Sequence, residues 1–414
     1  MFLLFDLVFL LYALFYLPYL LVTQRVYKGF SMRFGIFSPS LKAEVQQKAN
    51  VWMHAVSVGE VMLLEGFIDR FAQEFPQYQV IVSVTTKTGF ALAQERLKNK
   101  AVVIASPLDF SFVVGRFIQL IDPKMYIAVE TEIWPNLYRQ LYQAHIPIMV
   151  INGRISDQSF GRYKAISFLL KGILQYVQVW CMQAQEHAKR IIELGAPKTK
   201  VKVTGNIKFD DLPQIEPAAI DLNRDKLWWV AGSTHPGEEE IVLDIYNKIV
   251  VNNPQWRLII APRHVERVAE IIDLINSRGM KAVKFSELKK TAWGNFIVVV
   301  DTVGDLRSLY ALSSLVFVGK SLCVGGGHNI IEPAFYGKAI VIGPKVGNFR
   351  DIVACFKAKN AIVQVDQEGF AEAVIDLITN PSKRDALGAA CRDVIAENQG
   401  ASKRTLELAA QLLK

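Results

Sequence analysis

Cysteine is scarce in these 414 residues, and the four present, Cys181, Cys323, Cys355 and Cys391, include no C-x-x-C pair. That spacing argues against a zinc site or a disulfide framework and fits a reducing compartment. No tract is poor enough in apolar residues to read as disordered, and neither a short-period repeat nor a low-complexity segment is visible. No carboxylate and histidine cluster has metal-ligand spacing, so neither a metal nor another cofactor is expected. The glycine-rich stretch in the last third follows neither G-x-G-x-x-G nor G-x-x-x-x-G-K-[ST], which counts against dinucleotide and P-loop readings.

What is present describes a well-packed globular chain, 51% hydrophobic and 21% charged. Its length suits two domains of about 150–200 residues each. A net charge of +8 is compatible with nucleic acid, an anionic membrane surface or a phosphorylated ligand. The N-terminus chooses among these. Residues 1–22 (MFLLFDLVFLLYALFYLPYLLV) are apolar except for Asp6 near the outer end. That matches the ~20 residues needed to cross a bilayer core. A cleaved signal peptide would show a basic start and a small-residue cleavage site, and neither is there. Arg25, Lys28 and Arg33 follow and no Lys or Arg precedes, which places the rest of the chain in the cytoplasm. Residues 1–22 are therefore expected to form a membrane anchor helix, with membrane lipid and not nucleic acid as the partner. Pro18 and the aromatic density also permit a helix lying in the interface, and a buried helix of a soluble domain is the bland alternative.

From residue 50 onward short β-rich runs alternate with helical stretches. Runs at 51–57, 79–86, 101–105, 125–129, 147–151, 177–182 and 201–204 are nearly all apolar. Apolar strands each followed by a helix predict a parallel sheet covered on both faces. A polar, proline-containing stretch at 211–226 reads as a linker. A second series follows at 227–232, 257–261, 281–285, 296–301, 315–319, 339–342 and 361–365, and the chain beyond about 367 is largely helical. The expected fold class is α/β: Rossmann-like domains at 23–210 and 227–414, facing across a cleft at the carboxyl ends of their strands, where such sheets bind ligands.

The candidate chemistry follows the strands. In HAVSVGE (54–60), Ser57 and Gly59 make a tight turn and Glu60 opens a helix. Two readings stand: a helix-start carboxylate stabilised by the macrodipole, or a general base for a hydroxyl nucleophile. In VETEIWPN (129–136) the carboxylates Glu130 and Glu132 are two residues apart, facing one side if the segment is extended. They are a polar-site element or simply solvated. INGRISD (151–157) adds an Asn-Gly turn and Arg154, and TGNIKFD (204–210) adds Lys208, a cation for a phosphate or carboxylate or an ordinary linker lysine.

In the second half, GSTHPGEEE (232–240) ends a strand with a small-residue turn, where Ser233 or Thr234 would cap the helix. Arg263 in APRH (261–264) suits a phosphate or a pyrimidine carbonyl. Gly325-Gly326-Gly327 before a helix start would expose backbone N–H groups to an anion. Glu332, in that helix's first turn, would accept hydrogen bonds from ribose hydroxyls.

These ordered motifs, with GGGHNIIEPA (325–334) and the apolar N-terminus, resemble the bacterial Kdo transferases, 3-deoxy-D-manno-octulosonic acid transferases of lipopolysaccharide assembly. The likeness spans nearly the whole chain. It implies an inverting, metal-independent GT-B glycosyltransferase at the cytoplasmic face of the inner membrane. The donor would be CMP-Kdo and the acceptor a lipid A precursor such as lipid IVA. The N-terminal domain would take the acceptor and the C-terminal domain the nucleotide sugar. By motif, Glu60 would be the general base, with Glu130 and Lys208 stabilising the transition state. CMP would be held by Pro262 and Arg263, by Val303, Gly304 and Asp305, and by Asn329, Ile330, Ile331 and Glu332. One departure is KSLCV (320–324), where the family is richer in glycine and arginine. The competing readings are another two-domain nucleotide-sugar enzyme (a UDP-sugar transferase or an epimerase) and a non-catalytic membrane-tethered lipid-binding protein.

Overall fold

The computed structural model describes residues 29–210, 222–223, 225–290 and 294–413, together with Asp6, Leu10 and Leu11. The expected anchor at 1–22 otherwise lies outside the described residues, as does most of the linker at 211–226. Among the described residues no helix is long and apolar enough to cross a membrane.

The chain divides into two compact units, residues 1–211 with 399–414, and residues 212–398. In the first, seven strands form one sheet: β1 (Ala49–Ala55), β2 (Tyr78–Val84), β3 (Val102–Ala105), β4 (Pro123–Val129), β5 (Ile148–Gly153), β6 (Val179–Met182) and β7 (Val201–Val203). Their order is β3-β2-β1-β4-β5-β6-β7, all pairs parallel. Alternate residues of each strand feed opposite cores. Trp52, Tyr126, Val150 and Trp180 point into one, and Val51, Met53, Ile127 and Met149 into the other. Both faces are therefore covered, which is why the strands read as unbroken apolar runs.

Helices α1 (Val58–Glu74), α2 (Ser111–Ile121) and α3 (Pro135–Gln143) follow β1, β3 and β4. The second unit repeats the plan with β8 (Leu227–Thr234), β9 (Trp256–Pro262), β10 (Ala282–Lys284), β11 (Ile297–Val299), β12 (Leu315–Val318), β13 (Ala339–Ile342) and β14 (Val363–Gln364). Their order is β10-β11-β9-β8-β12-β13-β14, again parallel. Its helices include α4 (Glu238–Val250) and the short α5 (Ile331–Phe335).

The division at 227–414 is corrected at its end. The last helix, α6 (Ala401–Leu412), belongs to the first unit. Ala401, Leu406 and Ala409 enter the core beneath β1 and β4. The Asp210 carboxylate accepts the Gly400 and Ser402 N–H groups at 2.5 Å, covering the open N-terminus of α6.

Asp6 also has defined partners in the first unit. Its carboxylate accepts the Ser111 N–H (2.9 Å), the Ser111 hydroxyl (2.5 Å) and an Asn136 side-chain N–H (3.0 Å). That carboxylate closes the start of α2.

Candidate active site

Each sheet has a point where successive strands depart in opposite directions, and open α/β sheets bind ligands there, beyond the carboxyl ends of the strands. In the first sheet it lies between β1 and β4. Register pairs His54 with Ala128, so Val56–Glu60 and Glu130 leave the sheet at one level.

Glu60 stands in the first turn of α1, 7% exposed. Its Oε2 accepts the Val56 N–H at 2.7 Å and its Oε1 accepts the Ser57 hydroxyl at 2.9 Å. These bonds are those of the helix-start reading, a carboxylate closing the first turn of α1. Burial lifts the carboxyl to about 7; the Val56 hydrogen bond opposes that rise and the charge of Glu130 adds to it. Glu132 is lifted to about 7 as well, by burial first and then by the charges of Glu60 and Glu130.

Three carboxylates thus gather at one sheet edge, two of them, Glu60 and Glu132, held partly protonated near neutral pH. Glu132 carries no assigned role in the motif reading. Its spacing from Glu130 was the available signal, but the extended geometry is corrected. Glu130 is left-handed, with φ 58°, so the chain turns sharply where β4 ends. The Thr131 hydroxyl then donates to the Arg154 carbonyl (2.7 Å) and accepts the Arg154 N–H (3.0 Å), tying this loop to the one after β5.

Lys208 reaches the same edge by another route. Buried Asn152 accepts the Ile207 N–H at 3.0 Å, and Asn206 accepts the Lys208 N–H at 3.0 Å, which fixes the turn Ile207–Phe209 beyond β5 and β7. Among the described residues the half-buried Lys208 ammonium has no acidic partner. Among the described residues seven non-glycine residues are left-handed, and four of them, Glu130, Asn152, Ser233 and Lys320, sit at the carboxyl ends of strands. Such backbone is costly for residues with a side chain, and it concentrates at functional edges.

In the second sheet the corresponding point lies between β8 and β12. Gly232 pairs with Val318, so Ser233 and Gly319 leave side by side. A Cβ on Gly319 would lie 2.5 Å from the Ser233 carbonyl oxygen, so only glycine fits. Glu238, fully buried in the first turn of α4, organises this edge. Its two oxygens accept N–H groups from His235 (3.0 Å), Lys320 (2.8 Å), Ser321 (2.9 Å) and Leu322 (3.0 Å). The expected cap by Ser233 or Thr234 is corrected: Gly237 holds the N-cap position without a side-chain bond.

The glycine cradle is also corrected. The Gly326 N–H donates to the Lys345 carbonyl (2.9 Å) and the Gly327 N–H to the Lys320 carbonyl (2.8 Å), so neither is offered to an anion. Their φ values of 124° and 70° show what glycine supplies here, a backbone path closed to L side chains. Pro262 ends β9, and exposed Arg263 donates its N–H to the Thr234 carbonyl at 3.1 Å, joining the edges of β8 and β9. Val303 and Gly304 form an exposed turn, and Asp305 accepts the Thr302 hydroxyl at 2.5 Å. Asn329 accepts the N–H of Ile331, adjoining buried Ile330, and Glu332 in α5 pairs with Arg307 at 3.2 Å. All these nucleotide candidates occupy the carboxyl edge of one sheet. Among the described residues no group of three His, Cys, Asp or Glu side chains is arranged to hold a metal.

A family model described as 3-Deoxy-D-manno-octulosonic-acid transferase (kdotransferase) matches residues 28–211, and one described as Glycosyl transferases group 1 matches residues 242–394. The chain thus joins a Kdo transferase N-terminal domain to a group 1 glycosyl transferase domain. Among its relatives is a 3-deoxy-D-manno-octulosonic acid transferase of Haemophilus influenzae, 29% identical over 418 residues, covering 96% of this chain and 98% of that one. A bifunctional glycosyltransferase/methyltransferase of Fusobacterium nucleatum is 36% identical over 355 residues. That match covers 83% of this chain and 54% of the relative, so the chain spans about half of that longer protein. Among solved structures, a UDP-GlcNAc 2-epimerase from Neisseria meningitidis bound to UDP-GlcNAc superposes with a TM-score of 0.61, at 13% identity, over 87% of this chain and all of that one. That likeness concerns the fold alone: two parallel-sheet α/β domains of the kind found in GT-B glycosyltransferases.

Proposed function

We propose that this chain is an inverting glycosyltransferase that moves Kdo from CMP-Kdo to a lipid A precursor of the lipid IVA class, in lipopolysaccharide core synthesis. The observation that carries the reading is Glu60, a buried carboxylate raised to about 7 at the β1–β4 switch point. A base poised near the working pH takes a hydroxyl proton most effectively. The acceptor oxygen then attacks the anomeric carbon as the bond to CMP breaks, which inverts that centre. The sugar passes through an oxocarbenium-like state, which the carboxylate of Glu130 stabilises, while Lys208 holds the sugar's own carboxylate or the phosphate. Pro262, Arg263, the turn Val303–Asp305 and Asn329–Glu332 hold CMP, with Arg263 supplying fixed positive charge to the phosphate. The reading assigns charge neutralisation to these cations, with neither a metal nor a cofactor.

Incubation with CMP-Kdo and lipid IVA tests this directly. Product mass is expected to rise by whole Kdo units. Turnover of a UDP-sugar with none of CMP-Kdo would overturn the donor assignment in favour of another nucleotide-sugar enzyme.

The same reading places the protein on the cytoplasmic face of the inner membrane, held by its N-terminal segment. Asp6 docked on Ser111 and Asn136, beside the exposed Leu10, Leu11 and Phe112, supports a segment lying along the lipid surface. A Phe2→Cys variant is then expected to resist a membrane-impermeant maleimide applied from the periplasm. Labelling from that side would establish a spanning helix.

A further inference from the structure

Three of the six histidines in the chain meet at the carboxyl edge of the second sheet. His235 follows β8, His264 follows β9 and His328 lies in the loop after β12. The Nε2 atoms of His235 and His328 are 3.2 Å apart, with the rings stacked at 5.4 Å. The His264 ring meets His235 edge-on at 5.8 Å. An N···N contact of that length holds one proton, donated by one imidazole and accepted by the other.

The surroundings are cationic. Lys320, His264 and Arg263 face His328, and Lys320, His264 and Arg267 face His235. Of the carboxylates nearby, Glu239 is engaged by Arg267 at 2.7 Å and Glu238 by backbone N–H groups. Burial and then these charges hold the pair neutral, His328 down at about 4. A neutral imidazole pair among cations, half-open to solvent, suits an anionic ligand that can also accept a proton. None of the glycosyl-transfer roles above uses it.

We propose that the His235–His328 pair, with Lys320 and Arg263, binds the phosphate of the nucleotide donor and protonates it as it leaves the sugar. The proposal rests on the donor reading given under the proposed function. An entering phosphate reverses the local field and draws one proton onto the pair. When the sugar–oxygen bond breaks, its electron pair stays on the phosphate oxygen, and the imidazolium proton passes to that oxygen. The acceptor hydroxyl proton has meanwhile gone to Glu60, so charge and protons balance over the cycle.

Calorimetry of CMP binding at pH 7.5, in buffers of different ionisation enthalpy, reads the proton directly. Free phosphate monoesters are already doubly charged there, so a proton taken up on binding is held in the complex, between the imidazole pair and the phosphate. About one proton is expected per CMP, and none with cytidine. His235→Asn and His328→Asn are expected to abolish the uptake and weaken CMP about 10–100-fold, leaving cytidine affinity unchanged. Binding of CMP without uptake, or uptake that survives in both variants, would overturn the proposal. The wild-type measurement decides this even where a variant folds poorly. Should UDP bind with proton uptake and CMP not bind, the donor reading fails while the role of the pair stands.

Discussion

Glu60→Gln is expected to lower kcat about 10²–10⁴-fold, the span that a positioned general base contributes, while CMP affinity stays at the wild-type value. The base belongs to the first unit and the nucleotide groups to the second, which is why binding and turnover separate in this variant. In the unmodified protein kcat should rise with pH through about 7, because only the ionised carboxylate takes a proton. Glu132 titrates in the same range, and the charge of Glu60 helps to raise it, so the limb reports both carboxyls. The stability trend runs the other way. A carboxyl lifted above its unfolded value stabilises the fold least when ionised, so this contribution is present at low pH and lost as pH rises through about 7. Glu60→Gln should therefore unfold no earlier than wild type at pH 8. An inactive variant that also melts early would point to a structural role for this side chain, and an active one would remove Glu60 from the mechanism.

Glu238→Ala is expected to damage the second unit more than any single core truncation at its edge. The substitution strips partners from four backbone N–H groups, three of them 82–84 residues away in the chain. Unsatisfied buried donors cost about 1–3 kcal/mol each. With some rescued by water, a net loss of about 3 kcal/mol corresponds to a fall of about 6–12 °C in the unfolding midpoint of a unit this size. CMP affinity should fall with it, because the Lys320–Leu322 turn loses its anchor. Glu238→Gln should be only partly protective, since its amide group would face N–H donors with another donor. Scanning calorimetry checks both variants, and an unchanged second transition would show that Glu238 is dispensable.

Much of this architecture is legible in the chain before it folds. Among the described residues each of the fourteen strands falls on a β-rich run visible in the sequence, and the central ones on apolar runs, while the outer strands β7 (VKV), β10 (AVK) and β14 (VQ) carry polar residues. Parallel strands covered on both faces leave no room for polar alternation, so each is written as a local, continuous signal. The post-strand motifs are legible for the same reason, because a strand's end locates the residues that follow it.

Other features are set by contacts between distant residues. Residues 401–412 are an ordinary amphipathic helix in sequence, and their place in the first unit depends on Asp210, 190 residues from Gly400. The left-handed turn at Glu130, the internal use of the Gly326 and Gly327 N–H groups, and the meeting of His235 with His328 across 93 positions carry no local pattern. Strand formation is a matter of neighbouring residues and water, so composition and periodicity suffice to place it. The protonation state of a carboxylate or an imidazole is a matter of which charges and how much protein surround it, and those neighbours arrive from distant positions only when the sheet that carries them is built.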